Sequence, residues 1–99
     1  MNLLIDGYKL VLTCFACPEQ YDVFDDEGNQ VAYLRLRHGH FRVDCPDCGG
    51  ETVYAIETLG DGIFADDERY FHLREAITKI QKWIIKEQFK PEEPGYYDE

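Results

Sequence analysis

The chain contains no serine, so a Ser-His-Asp catalytic arrangement is excluded from the outset. No apolar run approaches the roughly 20 residues a membrane helix requires, and no spanning helix is expected. The opening segment, Met1-Asn2-Leu3-Leu4-Ile5-Asp6, has no basic residue and reaches an acid at once. It does not read as a signal peptide, and an intracellular setting is expected. Bases are scarce, with 10 Lys and Arg against 20 Asp and Glu and a formal net charge of -10. That balance disfavours a general attraction to nucleic acid, which needs clustered cations. No glycine-rich loop with a lysine joins a strand to a helix, so a nucleotide-cradling loop is not expected either. Asp61, Asp66, Asp67 and Glu68 lack the alternation and terminal bidentate glutamate of a calcium loop. Nothing nominates an enzyme.

What is present is enough for one folded domain. The 99 residues are 44% hydrophobic and 14% aromatic, too rich in ring side chains for a disordered chain. Leu3 to Ile5 and Tyr8 to Thr13 flank Asp6-Gly7, a two-residue hairpin signal. Tyr21 to Phe24 and Val31 to Arg37 form a second pair across an acidic, Gly- and Asn-containing turn. Gly39 separates the latter from His40 to Asp44, and Thr52 to Thr58 is β-branched and aromatic. From about 66 to 89 the period changes: Leu73, Ala76, Ile77, Ile80 and Ile84 fall at three- and four-residue steps, and Pro91 stops the helix. The expected fold is α+β, an antiparallel sheet of hairpins with zinc-ribbon-like knuckles and one C-terminal helix packed on it. Residues 1–90 read as a single zinc-binding domain, and 91–99 as an acidic flexible tail.

Charge is unevenly distributed. Residues 1–68 hold 14 acids and 4 bases, 69–90 hold 6 bases and 2 acids, and 91–99 add four acids. Two clusters stand out: Asp22, Asp25, Asp26 and Glu27, and Asp66, Asp67 and Glu68. Turn chemistry accounts for much of the first, and complementarity to a helix dipole for the second. The overall excess on so small a body favours a basic partner surface, and these seven residues are the candidate partner contacts. Arg35, Arg37 and Arg42, with Tyr33 and Phe41, form a small basic-aromatic group on neighbouring strands, expected to pair with surrounding acids.

The sharpest motif is Cys14-Phe15-Ala16-Cys17 together with Cys45-Pro46-Asp47-Cys48-Gly49-Gly50. Each Cys-x-x-Cys turn lets two sulfurs converge on one ion, and two turns complete a tetrahedral thiolate shell. Cys14, Cys17, Cys45 and Cys48 are therefore the expected ligands of a structural zinc, with no position left for water or substrate. The 18–44 spacer is longer than the commonest four-cysteine pattern, but hairpins filling it leave room for the pairs to meet. Disulfides do not suit an intracellular chain, and a redox dithiol belongs at a helix start. His38 and His40 read as strand residues, and His72 as a helix-surface or rim residue.

The run Val31-Ala32-Tyr33-Leu34-Arg35-Leu36-Arg37-His38-Gly39-His40-Phe41-Arg42-Val43-Asp44-Cys45-Pro46-Asp47-Cys48-Gly49-Gly50-Glu51-Thr52 resembles small proteins of unassigned role in Firmicutes and their mobile elements. So does Leu59-Gly60-Asp61-Gly62-Ile63-Phe64 followed by Asp66-Asp67-Glu68-Arg69. With four zinc-type cysteines and strong acidity, the chain resembles phage-type anti-CRISPR proteins, specifically zinc-containing inhibitors of the type II-A effector Cas9. That resemblance implies a Cas9 partner, no direct nucleic-acid or membrane contact, and no catalytic residues. The other classes to weigh are a zinc-ribbon-like module for nucleic acid or transcription machinery, and a structural adaptor for another protein.

Overall fold

Six strands follow one another across a single sheet in the order in which they occur in the chain. The computed structural model describes residues 2–14 and 19–89. The strands are β1 (Asn2–Ile5), β2 (Tyr8–Cys14), β3 (Glu19–Phe24), β4 (Gln30–Arg37), β5 (His40–Cys45) and β6 (Glu51–Glu57), followed by α1 (Asp66–Gln88). Each strand pairs antiparallel with the next.

Turn chemistry sets this meander. Asp6 and Gly7 take φ of 51° and 87°, and His38 and Gly39 take 55° and 71°. Positive φ at both central residues matches the twist of a two-residue hairpin, and it registers Ile5 with Tyr8 and Arg37 with His40. In the longer turn at 25–29, the Asp25 carboxylate accepts the Glu27 and Asn29 N–H groups, each at 2.9 Å. Because every neighbour is antiparallel, the β1–β2, β3–β4 and β5–β6 turns lie at one end of the sheet. The β4–β5 turn and the segment leading to α1 lie at the other.

Strand periodicity gives the sheet two unlike faces. Leu10, Tyr21, Val23, Ala32, Leu34, Leu36, Phe41 and Val43 point inward and are fully buried. α1 covers them with Leu73, Ala76, Ile77 and Ile80, spaced for one helix face, and Trp83 and Ile84 pack at the margin. The indole N–H of Trp83 donates to Glu51 at 3.1 Å, tying the helix to the outer strand. Phe41 is the aromatic centre, with ring centroids 4.9 Å from Phe64 and 6.1 Å from both Tyr54 and His72.

The expected α+β class is present, with strand and helix limits within a residue or two of those read from periodicity. β5 runs one residue further than expected, so Cys45 is a buried core residue at the end of a strand. His72 corrects the sequence reading: it is 7% exposed, stacked on Phe64 at 5.6 Å, because it lies four residues before Ala76 and eight before Ile80 on the covered face. No helix among the described residues is long and apolar enough to cross a membrane. The 91–99 segment lies outside the described residues.

Candidate functional site

Cys17 lies outside the described residues. Cys14 registers with Gln20, Gln20 with Arg35, and Arg35 with Arg42. Cys14 is therefore three strand spacings from β5, roughly 14 Å, and Cys45 is three residues further along, roughly 10 Å. Zinc at about 2.3 Å from each thiolate needs its sulfurs within roughly 4 Å of one another. The strand order thus places Cys14 and Cys45 at opposite ends of the sheet and does not bring them together. Among the described residues no three of His, Cys, Asp and Glu gather as a metal-binding group. Burial, with Asp44 and Glu51 nearby, pushes the Cys45 thiol up to about 12. Cys48 is exposed in the turn beyond.

The acidic residues separate into two groups with different work. Asp66, Asp67 and Glu68 start α1 at the end that carries the β4–β5 turn. Glu68 is buried, and its carboxylate accepts the N–H groups of Leu59 at 2.9 Å, Gly60 at 2.7 Å and Ala65 at 2.9 Å. It gathers the loop onto the helix start, as a glutamate at the third helical position does. Gly60 is required there, because a Cβ would collide with the Ile63 carbonyl. Asp66 pairs with Arg69 at 3.2 Å.

At the opposite end, the three hairpin tips bring together Asp6, the Asp25-Asp26-Glu27 run and Asp47. No Lys or Arg occurs in those turns, although Arg74 on α1 reaches Asp6 at 3.8 Å. Asp6, Tyr8, Asp25, Asp26 and Gln81 line a shallow cleft of about 200 Å³. The Tyr8 hydroxyl is pushed up chiefly by burial and further by the charges of Asp25 and Asp26. Asp22 stands apart on the open sheet face, where Gln30 donates to it at 3.2 Å.

Two charged residues that sequence reasoning passed over hold the end where α1 begins. Glu19, 4% exposed, accepts the Tyr21 hydroxyl, the Phe64 N–H at 3.1 Å, and Arg69 through Nε at 2.9 Å and Nη2 at 3.1 Å. Its signal was the strand phase: Glu19 shares an inward face with Tyr21 and Val23. Burial raises the Glu19 carboxyl, but hydrogen bonds from Arg69, Tyr21 and Phe64 and the Arg69 charge outweigh it and hold the group low. Glu68 behaves alike: burial pushes it up, while the Leu59, Ala65 and Gly60 N–H groups and His72 bring it below its ordinary value.

Both carboxyls are thus lowered from 4.5 in the folded chain, so the unfolded chain takes up protons first as the solution is acidified. Their stabilisation is fully present above the unfolded value and is lost as pH falls through the folded ones. Urea midpoints measured across the acid range are expected to be flat near neutrality and to fall below about pH 4.5. Glu68→Gln is expected to shallow that fall; an unchanged slope would contradict the assignment.

One part of the open sheet face carries the opposite charge. Arg35, Arg37, His38, His40 and Arg42 line a depression of about 310 Å³ toward the β4–β5 turn. Among the described residues, the expectation that these arginines pair with acids holds for Arg42 alone, whose Nε is 3.3 Å from Asp44. No family model, no curated protein and no solved structure matches this chain.

Proposed function

We propose that the chain is a non-enzymatic inhibitor that binds the Cas9 effector one to one through its acidic hairpin end and hinders engagement of target DNA. The observation that carries this reading is the placement of Asp6, Asp25, Asp26, Glu27 and Asp47 on the three hairpin tips at one end of the sheet, with no Lys or Arg in the tips themselves and, among the described residues, only Arg74 and Lys9 beside them. Cas9 holds nucleic acid in positively charged channels, and a compact acidic surface is complementary to such a channel. Opposite fields speed the encounter and are screened by salt. The identity of the partner rests on the sequence resemblance; the choice of surface rests on the topology. Asp66, Asp67 and Glu68, expected from sequence to share in the contact, are at the far end, and Glu68 is occupied internally.

The test is co-migration with Cas9 on size exclusion, with and without guide RNA. A complex is expected at low salt, and Asp26→Lys with Glu27→Lys is expected to weaken it about tenfold or more. Normal DNA binding and cleavage by Cas9 with this chain in excess would remove the reading. Zinc on the cysteines belongs to the same proposal and is supported by their spacing alone. Metal analysis of the purified chain decides it: zinc that is lost in Cys48→Ser supports the assignment, and a metal-free folded chain ends it.

A further inference from the structure

Antiparallel pairing of β4 with β5 sets Arg35 directly across from Arg42, and Arg37 directly across from His40. All four point away from α1, and His38 occupies the turn beside them. Facing partners on one sheet face have Cβ atoms about 4.5–5.5 Å apart, where like charges repel. The chain has only four Lys or Arg among residues 1–68, and three are placed in this one array.

Local acids offset only part of the group. Asp44 stands 3.3 Å from the Arg42 Nε, and Glu57 lies 3.0 Å from the His40 Nδ1. Arg35 and Arg37 have no carboxylate within ion-pair distance among the described residues. The Nε atoms of both Arg35 and Arg42 are buried and donate no hydrogen bond there. A buried donor without an acceptor is costly and uncommon, and the one on Arg35, facing a guanidinium held by the single Asp44 carboxylate, calls for an acceptor with several oxygens.

We infer that this depression is a binding site for a small phosphorylated ligand, with one or two phosphate groups held by Arg35, Arg37 and Arg42 and with His38 and His40 at the rim. A guanidinium presents a planar fork of donors that matches phosphate oxygens, and a bound dianion turns the Arg35–Arg42 repulsion into shared attraction. The volume, about 310 Å³, is at the lower end for small-molecule sites, which run to roughly 300–1,000 Å³. A nucleic-acid strand is the poorer fit, because a polyanion needs a longer cationic track and meets a net charge of -10. The site is independent of the Cas9 reading, since it lies toward the end of the sheet away from the acidic tips.

The experiment is a heteronuclear NMR titration of the full chain with inorganic pyrophosphate at low salt, repeated with a short oligothymidylate. Saturable shifts are expected at the arginine Nε–H signals, the His38 and His40 rings and the backbone of 35–42, with pyrophosphate the tighter ligand. Arg35→Gln with Arg42→Gln is expected to weaken pyrophosphate binding about tenfold or more, as loss of charged hydrogen bonds does. Arg37→Gln, at an exposed position, is expected to weaken it without touching the packed sheet. Lys9→Gln, elsewhere on the same face, is expected to leave it unchanged. Absence of a saturable shift at millimolar pyrophosphate would overturn the assignment. So would tighter binding of the oligonucleotide, or equal loss in Lys9→Gln.

Discussion

Arg69→Ala is expected to lower the unfolding free energy by about 3–5 kcal/mol, the range for stripping the partner from a buried charge. The variant leaves Glu19 ionised at 4% exposure with only the Tyr21 hydroxyl and the Phe64 N–H as donors. The contact joins residues fifty apart, the first of β3 and the fourth of α1, so its loss also frees the helix start from the sheet. For a domain of this size each kcal/mol moves the melting temperature by about 4–8 °C, and the loss is expected to be plain in a thermal melt. Adding Glu19→Gln to Arg69→Ala is expected to recover part of it, because a neutral amide no longer demands a countercharge. The four urea midpoints of this double-mutant cycle give the coupling. Coupling below about 0.5 kcal/mol would show that Glu19 is not held by Arg69 in solution.

Phe41→Ala is expected to cost a comparable amount, about 3–5 kcal/mol, through lost burial and the cavity left behind. Phe41 is fully buried on β5, and its ring meets Phe64 from the loop before α1, His72 from the helix and Tyr54 from β6. No other side chain of the sheet touches all three of these elements through ring contacts among the described residues. Phe41→Leu is expected to cost clearly less, since it keeps most of the volume. Chemical denaturation with both variants checks this; equal effects would mean that the aromatic edge contacts, rather than the volume, hold the three elements together.

Most of the architecture was readable before any coordinates because its signals are local. Asp6-Gly7 specifies a two-residue turn by its residue types, whereas His38, read from sequence as a strand residue, stands with Gly39 at positive φ in the β4–β5 turn; once the turns are set, antiparallel neighbours follow. The alternation from Val31 to Arg37 and the stripe from Leu73 to Ile84 each repeat a single period, so each side chain's face follows from its position. The cysteine motif says less about long-range geometry for the converse reason. Its spacing describes how two sulfurs within one turn converge, whereas the distance between turns depends on which strands intervene.

Local chemistry therefore determined the six strands, the helix, the turn types and the excess of acid at the loops. Only the tertiary arrangement decided which charges are neighbours. Glu19 became a buried anchor because α1 delivers Arg69 to it, and His72 joined the core because the helix was rotated by its apolar stripe. The meander gathered Asp6, Asp25 to Glu27 and Asp47 at one end, while the β4–β5 register set Arg35 against Arg42 on the open face. Electrostatic interactions act through space between residues far apart in the chain, so neither the acidic end nor the cationic depression is visible in any single stretch of sequence.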